Sequence, residues 1–234
     1  RGVELETLST VQRIAVWLVP VLLAITVHEV AHGWVAKQFG DRTAMMLGRL
    51  TLNPIKHIDP LGTVLLPLLT LTMGGFVFGW AKPVPVTWEN LVNPKRDMAF
   101  VALAGPMANL GMAILWVVVI RLGFWLSAGG SSIAQPLSYM GVAGVVINAV
   151  LMVLNLVPLP PLDGGRVMVS ILPNKLAWRY GRIEPYGMYI ILGLFFTGLL
   201  GVIIMPLIRG VWTVLCYAGQ ISPDVFERIL RVIF

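Results

Sequence analysis

Residues 28 to 32 read His-Glu-Val-Ala-His, two imidazoles and a carboxylate within five positions. On a helix of 3.6 residues per turn, histidines four apart lie about 40° round from each other and roughly 6 Å along the axis, so both rings can reach one ion. Glu29 follows His28 directly, about 100° round the helix, where it can touch a water on that ion without ligating it. This is the spacing of a zinc hydrolase. The segment that carries the motif is otherwise apolar, and one Asp, Lys or Arg at the centre of a bilayer helix costs about 2.5 to 3.5 kcal/mol. Three ionisable groups, using two of the chain's three histidines, therefore require a compensating partner. A divalent cation supplies one; a histidine pair that only hydrogen-bonds neighbouring helices is the alternative.

Catalytic zinc has three protein ligands and an open position for water, so a third ligand must come from elsewhere in the chain. The stretch "NLVPLPPLDGGRV", 155 to 167, offers Asp163 just beyond an apolar block. Pro158, Pro160 and Pro161 cannot sustain a regular helix there, and Gly164 and Gly165 allow a tight turn. Alone, "LDGG" is a common turn; joined to the histidine pair across a matching topology, it supplies the missing carboxylate. The third histidine, His57 in "NPIKHIDP", reads as a hydrogen-bonding loop residue outside the ligand set, with Asn53 and Asp59 as turn residues beside prolines.

The elements that must position these groups follow from composition. Of 234 residues, 57% are hydrophobic and 12% charged, against roughly 25% charged in an average soluble domain. Stretches 14 to 27, 98 to 120, 137 to 157 and 187 to 208 approach or exceed the length that crosses a bilayer. The spacing predicts a first helix from about Thr10 to Phe39, closed by Gly40 and Asp41, and retained in the mature protein because no small-residue cleavage site follows its apolar core. Segments 48 to 60 and 82 to 91 read as short strands or loops around the apolar run 61 to 80. Residues Ala104, Gly105, Ala108 and Gly111 suit tight helix contact. The stretch 185 to 219 is one long helix or a pair broken around Pro206, and 223 to 234 is an amphipathic tail.

The fold class expected is an all-α polytopic membrane protein: a transmembrane helix bundle with a small membrane-associated β or re-entrant element between the first and second full spans. Residues 1 to 234 form a single domain, with a catalytic core at about 10 to 170 and C-terminal helices at about 185 to 234.

Charge orients the bundle. Segments 37 to 60 and 82 to 97 hold Lys37, Arg42, Arg49, Lys56, Lys82, Lys95 and Arg96, whereas 127 to 136 carries no charge. Excess Lys and Arg marks the cytoplasmic side, so the first helix runs inward and the block ending near Asp163 also arrives inside. The run 61 to 80, flanked by cytoplasmic segments, must then dip in and return or lie in the interface. The net charge of +6 reflects this asymmetry and calls for no nucleic-acid partner. Cys216 is the sole cysteine, a small apolar filler.

With "HEVAH", the small-residue "ALAGPMANL" at 102 to 110 and "NLVPLPPLDGG" in this order, the chain resembles the site-2 proteases, a family of intramembrane zinc metalloproteases. The "NPIKHIDPLG" element, and the lack of an inserted PDZ segment or a nucleotide-sensing CBS domain, make it similar to the compact branch. The resemblance implies one zinc per chain on His28, His32 and Asp163, with Glu29 as general base. Asn155 matches the family asparagine before the proline-rich turn, an oxyanion donor. It further implies a transmembrane protein as substrate, a bilayer as surroundings, and a prokaryotic cell membrane with the active site toward the cytoplasm.

A helical substrate hides its peptide bonds and must unwind before hydrolysis. Lys82, Pro83, Val84, Pro85 and Val86 suit an edge strand to which substrate could add in extended form. A metal transporter or receptor would use the same ligands, but should show a repeated half-site, and the sequence has no internal repeat. A catalytically silent scaffold would not require Glu29.

Overall fold

A computed structural model describes residues 8 to 65 and 82 to 234. Helix α1, Thr10–Gln38, opens on a capping box in which the Ser9 hydroxyl accepts from the Gln12 amide and the Gln12 side chain accepts from the Ser9 amide. Val16, Pro20, Ala24, His28, His32 and Ala36, each four residues from the last, form a buried stripe along it. The histidines thus continue a row of mostly small residues that lets α1 approach its neighbours. The helix stops at Phe39, and Gly40 at φ 106° turns the chain as the sequence predicts.

A short helix α2, Thr43–Met46, and 3-10 turns at Pro54–His57 and Trp88–Asn90 flank a π-helical turn at Pro60–Leu65. Asp41 ties this layer together: its carboxylate accepts from the Thr43 and Thr87 amides at 3.0 and 2.7 Å, from the Asn90 side chain at 3.1 Å and from the Thr43 hydroxyl. No strand forms among the described residues, so the expected β element is corrected here. Pro83 and Pro85 have no N–H, and the amides of Lys82, Val84 and Thr87 go to the His57 carbonyl, the Glu29 carboxylate and Asp41 rather than to a ladder. The re-entrant reading of 61 to 80 falls almost wholly on 66 to 81, outside the described residues.

Helices α3, Pro94–Ala128, and α4, Ala134–Asn155, make the most extensive contact in the bundle. A Cβ on Gly144 would lie 2.2 Å from Trp116 Cδ2, and one on Gly141 2.5 Å from Ile120 Cγ1. Glycines of both helices carry the tight packing, since a Cβ on Gly123 of α3 would lie 2.3 Å from Ser138 Oγ; of the residues expected to provide close contact, Gly105 does so against α1 and Gly111 faces open space. After the proline turn come α5, Asp163–Ile171, α6, Asn174–Gly181, α7, Glu184–Phe196, and α8, Leu199–Ala218. The break between the last two falls at Gly198, φ 74°, and Pro206 lies inside α8, which corrects both expected forms, one long helix or a pair broken around Pro206. A membrane helix tolerates an internal proline when its surroundings satisfy the freed carbonyl, whereas a left-handed residue ends the helix.

The tail is helical, α9 at Pro223–Ile233, burying Phe226, Ile229 and Ile233 and exposing Asp224, Glu227, Arg228 and Arg231. Arg13 Nη1 donates to the Phe234 carbonyl at 2.8 Å, and Trp17 Nε1 to that of Ile233 at 3.1 Å, so the C-terminus docks beside the start of α1. Among the described residues four helices, α1, α3, α4 and α8, are long and apolar enough to cross a membrane. The protein is an integral membrane protein built on a helix bundle.

Candidate metal centre

Asp163 is the first residue of α5, which doubles back against the turn before it. A Cβ on Gly164 would sit 2.4 Å from the Leu156 carbonyl oxygen and one on Gly165 2.3 Å from Pro160 N, which explains two glycines after the aspartate. Lys95 Nζ holds the far end of α5 by donating to the Leu172 carbonyl at 2.6 Å and to Asn174 Oδ1 at 2.8 Å. Pinned at both ends, α5 presents Asp163 to α1. Asp163 Oδ2 lies 3.3 Å from Nε2 of both His28 and His32, and the two Nε2 atoms lie 3.0 Å apart. All three side chains are buried.

Hydrogen bonding on the far side of each ring decides what these nitrogens carry. His32 Nδ1 lies 2.7 Å from the Val101 carbonyl, which can only accept, so Nδ1 bears a proton and the neutral ring carries its lone pair on Nε2. His28 Nδ1 lies 2.6 Å from Asn109 Oδ1, while Asn109 Nδ2 donates to the Ala24 carbonyl at 3.2 Å and to Asn148 Oδ1 at 2.9 Å. That network assigns Oδ1 as the acceptor, and His28 takes the same tautomer. Two lone pairs and a carboxylate oxygen thus converge, and Asp163 Oδ2 is buried without a hydrogen-bond donor. With both rings neutral, such a trio is repulsive until a cation, a proton or a metal ion, enters. Donors at about 2.0 to 2.1 Å from a tetrahedral zinc lie roughly 3.3 Å apart, so this set fits that ion in donor type, separation and protonation.

Gly105 of α3 completes the cradle. A Cβ there would fall 2.4 Å from His32 Nε2 and 2.6 Å from His28 Nε2, so α3 approaches the imidazoles as only glycine permits. Glu29 points toward the segment 82 to 87. Its Oε2 accepts from the Val84 amide at 2.7 Å, and Gly33, one turn further, packs against Val84, with a notional Cβ 2.8 Å from Cγ1. Arg49 Nη2 donates to the Lys82 and Pro83 carbonyls at 2.9 and 3.3 Å, and the Lys82 amide to the His57 carbonyl at 2.9 Å. The segment Lys82 to Val86 is therefore held against Glu29 and Gly33, through main-chain bonds and not as a strand.

Asn155 lies at the end of α4, where its Nδ2 donates to the Leu151 carbonyl at 2.9 Å. His57 is buried, with Nε2 2.9 Å from the Thr51 carbonyl, a loop contact of the kind expected. Sequence reasoning missed Asn109 and Asn148, both fully buried. The signal was present: a carboxamide within an apolar membrane segment needs a polar partner.

A bundle of membrane-crossing helices that buries two histidines of H-E-x-x-H against a carboxylate defines a membrane-embedded metallopeptidase architecture. Residues 16–142 and 123–197 match the family described as peptidase family M50. The chain belongs to that family, the site-2 proteases. It is 37% identical over 197 residues to "Putative zinc metalloprotease YwhC" of Bacillus subtilis (strain 168), covering 82% of this chain and 85% of that one. It is 33% identical over 167 residues to "Putative zinc metalloprotease Rip2" of Mycolicibacterium smegmatis, covering 70% of this chain and 54% of the relative. The archaeal "Zinc metalloprotease MJ0392" of Methanocaldococcus jannaschii is 23% identical over 164 residues, 70% of this chain and 36% of that protein. No solved structure matches.

Proposed function

We propose that the protein is a zinc metalloendopeptidase hydrolysing peptide bonds in or near transmembrane segments of substrate proteins, in regulated intramembrane proteolysis. His28, His32 and Asp163 hold one zinc and Glu29 is the general base. The observation that carries this reading is the convergence of two imidazole Nε2 atoms and an unpartnered carboxylate oxygen at 3.0 to 3.3 Å, with Glu29 on the same helix as the imidazoles.

When bound, zinc supplies Lewis acidity, which makes water acidic enough to ionise near neutral pH and polarises a carbonyl. The chain's own residues do the rest. Glu29, steadied through Oε2 by the Val84 amide, takes the proton of the attacking water and returns it to the departing amide nitrogen. Substrate main chain lies extended along Lys82 to Val86, because a helix conceals the bond to be cut. Asn155 donates to the developing oxyanion, exchanging its bond to the Leu151 carbonyl for one to substrate. Glu29 is not needed to hold a metal, so its presence favours hydrolysis over metal transport.

The test is cleavage of a single-span substrate in liposomes. Glu29→Gln should keep its zinc and lose about 10²- to 10⁴-fold in turnover, the usual contribution of general acid–base catalysis. Turnover at the wild-type rate would remove Glu29 from the mechanism.

The active site faces the cytoplasm. Lys95 ties α6 to the start of α3, so Lys175, Arg179 and Arg182 gather on the Asp163 side together with Lys82 and Arg49. The organisms of the relatives support a prokaryotic cell membrane. A cysteine placed at Lys175 in a Cys216→Ala background should react with an impermeant thiol reagent only from the cytoplasmic face. Labelling from outside would invert the bundle.

A further inference from the structure

Resting on the assignment of His28 as a zinc ligand, we propose that Asn148, on α4, is a positioning residue for the metal centre: it fixes the tautomer of His28 through Asn109 on α3. Neither asparagine touches the metal-binding atoms. Both are completely buried in apolar spans, where an unpaired carboxamide would be costly, and each polar atom of the pair meets a partner.

The bonds run in one direction. Asn148 Nδ2 donates to the Gly144 carbonyl at 2.8 Å, one turn earlier on α4, so its Oδ1 must face α3. There Oδ1 can only accept, and it takes an N–H of Asn109 at 2.9 Å; the second N–H of Asn109 goes to the Ala24 carbonyl of α1 at 3.2 Å. With its amino group committed twice, Asn109 offers Oδ1 to His28, which must put its proton on Nδ1. Nε2 is then free to face His32 and Asp163. The backbone of α4, which contributes no ligand among the three converging side chains, thereby dictates the protonation of a ligand on α1.

His32 provides an internal control. Its Nδ1 is held by the Val101 main-chain carbonyl, independently of the asparagines. Loss of Asn148 leaves the Asn109 amino group held by the Ala24 carbonyl alone, at 3.2 Å, so that Asn109 can rotate and present that group to His28 Nδ1, which moves the proton to Nε2 and places it where the cation must sit. An effect confined to His28 distinguishes this relay from general loosening of the bundle.

The experiment uses the full chain in detergent micelles with two measurements: zinc affinity by competition with a chelator, and the tautomers of both histidines by nitrogen NMR of the metal-free protein. Asn148→Leu should weaken zinc binding on the order of 10-fold, the lower end for loss of a partner behind a ligand, and shift His28 but not His32 away from the Nδ1–H form. Asn148→Ala, which opens space instead of filling it, should do the same if the leucine impairs folding. Asn148→Asp should restore both readings, because a buried neutral carboxyl donates to Gly144 and accepts from Asn109 in the same pattern. Zinc affinity within about threefold of wild type in Asn148→Leu or Asn148→Ala would overturn the proposal, as would equal changes at both histidines. Failure of the wild type to bind zinc would instead remove the ligand assignment beneath it.

Discussion

Three side chains define the centre, and the space around them is as specific as their chemistry. The imidazoles of His28 and His32 meet at 3.0 Å because the backbone of α3 passes beside them at Gly105. A methyl group at that position would be 2.4 Å from His32 Nε2, closer than carbon and nitrogen tolerate, so a ring must move. Gly105→Ala should therefore lower zinc affinity on the order of 10-fold and destabilise the bundle by about 1 to 3 kcal/mol, read by chelator competition and thermal unfolding. Unchanged affinity would mean that the rings are not held where the cradle places them. The histidine pair and Asp163 were legible because ionisable groups in apolar sequence are conspicuous. Asn109 was not, although it lies in "ALAGPMANL": among small residues a carboxamide reads as part of a packing surface, and its partner Asn148 lies 39 residues away in the chain.

Elements that lie outside the spans hold Glu29 and the segment Lys82 to Val86 in place. The node is Asp41, a buried carboxylate just beyond α1. Burial pushes its pKa up, but bonds from the Thr43 hydroxyl, the Thr87 and Thr43 amides and the Asn90 side chain outweigh it and hold the carboxyl below the usual aspartate value. A depressed folded-state pKa contributes stability that is complete above the unfolded value, about 3.9, and disappears as pH falls through the lower folded value. Amide protection of Thr87 should accordingly be constant from about pH 7 to pH 5 and fall below about pH 4, once hydrogen-exchange rates are corrected for their intrinsic pH dependence. Asp41→Ala should lose that protection at every pH, and retention would show that other contacts hold the segment. At this scale the sequence was a partial guide. The first helix and the amphipathic tail follow from periodicity and caps, but "KPVPV" looks strand-like by composition alone. Its destination depends on Glu29, His57 and Arg49, which are distant in sequence, and no local rule indicates that pairing. Gly198 was overlooked for Pro206 because proline is the stronger breaker in water, while a bundle in lipid can accommodate it.

For the whole molecule, the arrangement assigns separate tasks to separate helices. Helix α1 carries the histidines and Glu29, α5 brings the carboxylate, α3 supplies the glycine cradle, and α4 lies behind it with the asparagine that faces α3. The end of α8 and helix α9 close the other end of the bundle, where Phe226 and Trp212 pack into the core shared by α3 and α4. The orientation of α9 could not be read from the sequence, because its charges are balanced between acid and base and only its docking onto Arg13 and Trp17 places it. The account depends on a single cation joining α1 to α5. X-ray absorption at the zinc edge of the purified full chain measures this most directly. It should show zinc with two imidazole nitrogens and oxygen in the remaining shell at about 2.0 Å, with no sulfur. A shell containing sulfur, or fewer than two imidazoles, would contradict it.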